Sequence, residues 1–346
     1  MAHALTILAT LLAAQATALA GEKNPVREST QRQDTPDRTG VRPMTRSTQA
    51  GEVYRRIAWD RLDGCAHIRG FNYQPSWGSN GVEIWIDAFD AKRLRFELAR
   101  GQQLFPAFNC VRLWLSWSAY GKHPEQFLAN FDAAVGICHD LGLLAIPVLF
   151  TRWDGKPSFD PVTNPHLLSA EFQKTAAAYL NAVVGRHRGD PNILAWDLCN
   201  EPLLQKPEQL ASDAGRAERA WLTAVHAQVK RLDPSAKTCV GTLFDYGWGR
   251  LDEPLCDLLT PHIYLAGTTE AQMDAAVRKY KEDLQQRGVT KPILATETCW
   301  GSLDDMKREE IIRRSLTVLR RHGIGFLPHA LYTSPVADLH PPEMGP

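Results

Sequence analysis

From about Val53 onward the chain alternates short apolar runs with longer amphipathic stretches. This alternation is typical of repeated strand–helix units that build a parallel sheet. Eight runs have the length and apolarity of buried strands: 67–73, 110–115, 143–150, 193–198, 238–243, 258–264, 293–297 and 324–331. Eight such units predict a closed (β/α)8 TIM barrel of the α/β class, although an open doubly wound sheet would produce a similar string.

The stretches between these runs have the 3.6-residue spacing of helices that bury one face. Phe127 and Phe131 share one such face, and another is drawn through Ile312, Leu316 and Leu319. Three glycines follow helical stretches at the position expected of helix-ending residues: Gly142 and Gly323 directly precede a strand run, and Gly288 precedes the stretch 289–297 that contains the seventh run. After the eighth run little more than a proline-rich turn remains, so we expect the final helix to be absent or very short. Either the barrel closes without it or the sequence is truncated there.

The first residues have the pattern of an export signal. An apolar run over residues 4–14 is followed by Ala18-Leu19-Ala20 before Gly21, which fits a signal-peptidase site. Residues 21–51 are rich in charged and polar side chains and cannot bury enough apolar surface to order themselves. We therefore predict a signal peptide over 1–20, a disordered linker over 21–51, a barrel domain over 52–346, and a secreted or periplasmic location.

Charge and composition narrow the possible partners. With 39 basic and 39 acidic side chains the formal charge is zero, so the chain has no electrostatic feature that would attract nucleic acid. No segment after the signal has the roughly twenty apolar residues needed to cross a bilayer. We expect a monomer that acts on a polysaccharide or oligosaccharide, with no nucleic-acid or membrane partner.

The cysteines do not suggest a metal centre. Most of the seven lie inside apolar segments, which favours buried thiols, although a disulfide through Cys65 or Cys256 is compatible with the sequence. No C-x-x-C or C-x-x-H spacing indicates structural zinc. We expect neither a metal nor a cofactor.

Two strand runs end abruptly in a carboxylate. The fourth leads into Asn200-Glu201-Pro202, and the seventh reads Thr296-Glu297-Thr298 at its end. The carboxyl ends of barrel strands meet at one mouth, where barrel enzymes place catalysis. A pair of carboxylates there is what acetal hydrolysis requires, and a separation of about 5–5.5 Å predicts a retaining mechanism. Glu201 would keep its proton because Glu297 is ionised beside it.

The stretch Trp196-Asp-Leu-Cys-Asn-Glu201-Pro202 resembles the N-E-P signature of clan A glycoside hydrolases, most closely family 5, the cellulase and mannanase family. The resemblance covers residue 66 to about 335. It implies that Glu201 is the acid/base, that Asn200 binds the sugar 2-hydroxyl and that Glu297 is the nucleophile.

The same resemblance gives roles to three further residues. It implies that Arg112, in Cys110-Val-Arg-Leu-Trp, supports the nucleophile, and that His262 and Tyr264 form the pair on the sixth strand. Apart from the family, a buried Arg112 needs an anionic partner such as Glu297, although Arg112 could also form a purely structural salt bridge. His262 could be an ordinary core histidine. The family usually has tryptophan at the end of the eighth strand, whereas this chain has Leu327-Pro-His329-Ala-Leu-Tyr332.

Several tryptophans follow predicted strands, at the start of mouth loops. Those predicted to bind substrate by stacking on pyranose rings are Trp77, Trp117, Trp153 and Trp300. Packing beneath the loops is the alternative role.

The sequence therefore predicts a retaining β-glycoside hydrolase for β-linked glucan or mannan. One alternative is a non-catalytic carbohydrate-binding barrel. Another is a metal-dependent barrel hydrolase using His262, His329 and nearby aspartates.

Overall fold

The computed structural model describes residues 65–152, 159–202, 211–244, 253–332 and 334–335. Its strands are β1 (Gly70–Tyr73), β2 (Cys110–Trp114), β3 (Leu144–Val148), β4 (Trp196–Asn200), β5 (Thr238–Leu243), β6 (Thr260–Ile263), β7 (Leu294–Thr298) and β8 (Gly325–Pro328). Each strand pairs in parallel with the next along the chain, and Arg69 forms a parallel bridge to Phe326 that joins the first strand region to the last. A doubly wound sheet reverses its strand order at a switch point. The consecutive order and the bridge confirm the predicted barrel.

The described helices are α1 (Ala91–Leu104), α2 (Trp117–Lys122), α3 (Pro124–Asp140), α4 (Asn164–Leu167), α5 (Ala170–Arg186), α6 (Asp213–Leu232), α7 (Glu270–Gln286) and α8 (Asp305–Arg321). One π-helical turn spans Glu83–Asp87, and one 3-10 turn spans Glu253–Leu255. Every one of the eight predicted strand runs overlaps an observed strand, although β4 and β7 extend one or two residues beyond their predicted ends.

Short polar side chains begin several of these helices. The Asp90 carboxylate accepts hydrogen bonds from the amides of Lys92 and Arg93 at the start of α1, which satisfies donors that a helix leaves free at its first turn. The three predicted helix-ending glycines have φ values of 67–71°: Gly142, Gly288 and Gly323. Glycine adopts this left-handed backbone without steric cost. The prediction that these three glycines end helices is therefore confirmed.

The buried hydrophobic residues form two clusters. The smaller one includes Ile146, Leu194 and Leu327, from strands or the residues next to them, and the larger one combines strand residues such as Leu113 with helix residues such as Phe131. On the predicted face of α8, Leu319 is buried and Leu316 packs against the core, but Ile312 is wrong: it is 38% exposed, and Ile311 is buried instead.

All seven cysteines are described and buried, and no two of them form a disulfide. This confirms the prediction of buried thiols, and the disulfide option is not realised. Burial raises the pKa of Cys65 and Cys299 to about 12, so these thiols are poor nucleophiles.

The chain after β8 was predicted to lack a long final helix. Within the described residues no helix follows β8, and the chain there packs Leu331 against Gly101 of α1. The predicted signal peptide and linker lie outside the described residues, as do 153–158, 203–210 and 245–252. No helix in the described ranges is both long and apolar enough to span a membrane.

Candidate active site

The two predicted carboxylates lie at the same mouth of the barrel. Glu201 follows the last residue of β4, and Glu297 is the penultimate residue of β7. His262 of β6 is in register with Glu297, so these two side chains stand beside each other at the carboxyl end of the sheet.

His262 links the two glutamates. Its Nδ1 lies 2.7 Å from Glu201 Oε1 and 3.5 Å from Glu297 Oε2. One oxygen of each carboxylate and a ring nitrogen of His262 all lie within 4.8 Å of one another. Retaining glycosidases have carboxyl groups about 5–5.5 Å apart, whereas inverting enzymes need about 6.5–9.5 Å to admit a water. The close approach of Glu201 and Glu297 matches the retaining arrangement.

Arg112 of β2 contacts the Glu297 oxygen that does not face His262. Its Nη1 lies 2.5 Å from Glu297 Oε1, and its Nη2 lies 2.8 Å from Asp197 Oδ2. The Arg112 side chain is wholly buried, so its charge is balanced by these carboxylates rather than by water. A planar fork shared between two anions fixes both of them in position.

Asp197 was not singled out from the sequence. Strand alternation would place Asp197 and Asn200 on opposite faces, but the register of β4 shifts between them. Both side chains consequently reach Arg112, with Asn200 Oδ1 2.9 Å from Arg112 Nη2. The available signal was a carboxylate inside an otherwise apolar strand, which requires a buried cationic partner.

Tyr264 completes the surroundings of Glu297. Its hydroxyl donates to Glu297 Oε2 over 2.7 Å. Burial alone would raise the pKa of Glu297, but electrostatic interaction with His262, Arg112 and His329, together with the Tyr264 hydrogen bond, lowers it to about 2. Glu297 is therefore an anion at neutral pH.

The backbone at Glu201 is unusual. Its φ is 48°, a left-handed value that costs a non-glycine residue of the order of 1–3 kcal/mol. Its amide donates to the Gly241 carbonyl over 2.8 Å. This bond to β5 holds the strained turn that aims the carboxylate across the mouth.

His329 follows the end of β8 and contacts the end of β7, the strand that carries Glu297. Its amide donates to the Thr298 carbonyl, and its Nε2 lies 3.2 Å from Nε2 of the buried Gln74. The ring makes an edge contact with Trp114 at 6.4 Å between centroids. A polar imidazole thus stands where the family resemblance would have placed an indole, and Gln74 is a second residue that the sequence did not reveal.

The four tryptophans predicted to bind substrate do not share one environment. Trp300 packs edge-on against Tyr264, 5.6 Å between centroids. Trp117 donates from its indole nitrogen to the Asp160 carbonyl and contacts Phe172, and Trp77 lines a small apolar cavity with Trp85 and Trp114. Trp153 lies outside the described residues. Trp300 is the one placed directly beside the glutamate site, and stacking on substrate stays a prediction for all four.

The metal-hydrolase alternative called for His262 and His329 with nearby aspartates. In the structure His262 instead faces two glutamates, and the Nε2 of His329 faces Gln74. Among the described residues, the group that could hold a metal ion is Glu201, His262 and Glu297, and it contains the two glutamates predicted to act as acid/base and nucleophile.

A parallel barrel with two glutamates converging at its mouth defines the class of barrel glycoside hydrolases. The model of the Cellulase family, glycosyl hydrolase family 5, matches residues 106–331. The chain belongs to this family.

Individual relatives agree with that assignment. A putative mannan endo-1,4-beta-mannosidase 9 from Oryza sativa subsp. japonica is 25% identical over 226 residues, covering 53% of this chain and 54% of the relative. The chain thus spans about half the length of this curated relative. Among solved structures, an exo-beta-1,4-mannosidase from Opitutaceae bacterium strain TAV5 superposes with a TM-score of 0.60 at 22% identity, covering 76% of this chain and 51% of that one. A hyperthermostable endo-1,4-beta-D-mannanase from Thermotoga petrophila RKU-1 gives 0.54 at 15% identity, covering 79% and 97%.

Proposed function

We propose that this chain is a retaining β-glycoside hydrolase that cleaves β-1,4-linked mannan-type substrates. The observation that carries the proposal is the approach of Glu201 and Glu297 to within 4.8 Å, with His262 between them. That spacing leaves room for one anomeric carbon and no additional water layer.

In the first step Glu297 attacks the anomeric carbon. The attacking carboxylate is held ionised by Arg112 and Tyr264, which occupy one oxygen each. As the bond from Glu297 to carbon forms, the glycosidic bond breaks and Glu201 transfers its proton to the departing oxygen. The products of this step are a glycosyl ester on Glu297, an ionised Glu201 and a free sugar or aglycone.

In the second step water releases the sugar. Glu201 removes a proton from a water molecule, and the water oxygen bonds to the anomeric carbon as the ester bond to Glu297 breaks. His262 lies 2.7 Å from Glu201 Oε1, so it holds the carboxyl in place through both transfers. Two inversions at one carbon leave the configuration unchanged.

The choice of mannan over glucan is supported by the relatives. Those named above include a putative endo-mannosidase, an exo-mannosidase and an endo-mannanase. The family itself is described as Cellulase, and β-linked glucan is the second candidate substrate.

A substrate panel tests the proposal. Wild-type protein is incubated with aryl β-mannoside, aryl β-glucoside, mannotetraose and cellotetraose, with product configuration followed by NMR. We expect mannose-containing substrates to be cleaved with retention, and the Glu201→Ala and Glu297→Ala variants to be inactive on mannotetraose. Glu201→Ala should keep part of its activity on an aryl mannoside whose leaving group needs no proton. A wild-type protein that binds mannotetraose but cleaves nothing would be the non-catalytic carbohydrate-binding barrel instead.

We also propose that the protein is exported. Support comes from the apolar run at residues 4–14 and the Ala18-Leu19-Ala20 sequence before Gly21. Amino-terminal sequencing of the mature protein from a secreting host should begin at Gly21, and an intact Met1 in the cytoplasm would refute export.

A further inference from the structure

We infer that Glu201, His262 and Glu297 form a zinc site, and that zinc bound there inhibits the enzyme by competing with substrate. The inhibitory part rests on the proposed function, whereas the binding part rests on geometry alone.

The three donors are the types that zinc selects. Catalytic zinc sites in proteins commonly use three histidine and carboxylate ligands and leave one position open. Here the three donor atoms lie within 4.8 Å of one another. Ligands about 2.0–2.2 Å from a tetrahedral ion stand about 3.4 Å apart. The Nδ1 of His262 is already 3.5 Å from Glu297 Oε2, and its 2.7 Å separation from Glu201 Oε1 would have to lengthen to a similar value.

The charge balance of the site favours a cation. Two buried carboxylates, those of Asp197 and Glu297, share the guanidinium of Arg112, and a third, that of Glu201, lies beside His262. With both glutamates ionised and His262 neutral, as a zinc ligand must be, these carboxylates outnumber the guanidinium in a poorly solvated place, and a divalent ion would neutralise the excess negative charge. Arg112 would moderate the affinity because it already binds the other oxygen of Glu297.

The existing hydrogen bonds of Glu297 leave room for the ion. Arg112 binds Oε1, and Tyr264 donates to Oε2. Each carboxylate oxygen has two lone pairs, so Oε2 can accept from Tyr264 and still coordinate zinc. The ion would occupy the space between the two carboxylates, where the anomeric carbon has to enter.

Binding is measured without turnover. The full chain is freed of metal with a chelator, dialysed, and titrated with zinc chloride by calorimetry in a non-coordinating buffer. The test variants are Glu201→Gln, Glu297→Gln and His262→Ala. The control is His187→Ala, because His187 also touches two carboxylates but through opposite ring nitrogens, at 3.1 Å to Asp132 and 3.3 Å to Asp190.

We expect one zinc site whose affinity falls at least about tenfold in each test variant and is unchanged in His187→Ala. In steady-state assays with aryl β-mannoside, zinc should raise KM while leaving kcat unchanged, and the chelator should restore the rate. The two isosteric glutamine variants keep the test valid if His262→Ala fails to fold.

The outcomes separate the inference from the proposed function. Zinc binding that depends on the three residues, in a protein that cleaves no β-mannoside or β-glucoside, upholds the site and refutes the function. An active enzyme whose zinc affinity is the same in all three variants, or that binds no zinc, overturns the inference. Zinc that lowers kcat without changing KM would also overturn it, since the ion would then lie outside the substrate space.

Discussion

Arg112 Nη1 lies 2.5 Å from Glu297 Oε1 inside the barrel mouth. The same guanidinium binds Asp197 and Asn200 through its other nitrogens. One side chain from β2 thereby fixes Glu297 on β7 and two residues on β4. The position of Glu297 consequently depends on Arg112 and on the residues that orient Arg112.

Replacing Arg112 by lysine should separate charge from geometry. Lysine keeps a positive charge but cannot reach three partners with a rigid fork. We expect Arg112→Lys to lower kcat/KM by about 10²–10³-fold, similar to the loss of one preorganised donor. Arg112→Ala should also destabilise the fold by about 3–5 kcal/mol, since it leaves buried carboxylates unpaired. Steady-state kinetics and urea unfolding check both, and a lysine variant with wild-type kcat/KM would contradict the role of the fork.

The low pKa of Glu297 gives a pH prediction. Its pKa falls from the ordinary 4.5 to about 2, so its contribution to stability is fully present above about pH 4.5 and is lost as pH falls toward 2. Tyr264→Phe removes a hydrogen bond that lowers this pKa. The acid limb of kcat/KM should therefore move to higher pH in the variant.

The strength of the Tyr264 hydrogen bond sets the expected loss of kcat/KM in Tyr264→Phe. A hydrogen bond to a charged group contributes about 1.5–3 kcal/mol, so kcat/KM near neutral pH should fall by about ten- to a hundredfold. The control is Tyr120→Phe, whose hydroxyl makes only a 3.4 Å contact with the Ala178 carbonyl. If both variants share the wild-type acid limb, Tyr264 does not tune Glu297.

Much of this architecture could be predicted from the sequence. The eight strands followed from apolar runs, and the helix ends followed from Gly142, Gly288 and Gly323, because both signals are local. Glu201 and Glu297 could be paired because all parallel strands of a barrel end at one mouth. That rule converts two distant positions in the chain into neighbours.

Other features depend on tertiary detail that local patterns do not contain. The register shift in β4 turns both Asp197 and Asn200 toward Arg112, and strict alternation would have separated them. In α8 the buried Ser315 replaces an expected apolar residue, so counting apolar positions selected Ile312 instead of Ile311. The contact between Gln74 and His329 joins the loops after β1 and β8, which are far apart in sequence.

A second buried ion pair joins Arg152, which follows β3, to Glu218 of α6. Arg152 Nε is 2.8 Å from Glu218 Oε1, with both side chains 3% exposed, and Arg152 also binds Asn164. Arg152→Met should cost about 3–5 kcal/mol of unfolding free energy, and adding Glu218→Leu should recover much of it. The exposed pair Arg95–Asp140 is the control, since Arg95→Ala should cost under about 1 kcal/mol. Urea unfolding of the four proteins tests this, and a double variant less stable than Arg152→Met would contradict it.

Gly241 of β5 supports the site by having no side chain. A Cβ at this position would lie 2.7 Å from His262 Nε2 and 3.0 Å from Arg112 Nη2. Gly241→Ala should displace both side chains, lower kcat/KM at least about tenfold and cost about 1–3 kcal/mol of stability through overpacking. The matched control is Gly136→Ala in α3, where a Cβ meets nothing within 4 Å and alanine should stabilise the helix by about 0.5–1 kcal/mol. Steady-state kinetics and urea unfolding of both variants test this prediction. If Gly241→Ala keeps the wild-type kcat/KM, activity does not depend on the observed positions of His262 and Arg112 beside the two glutamates.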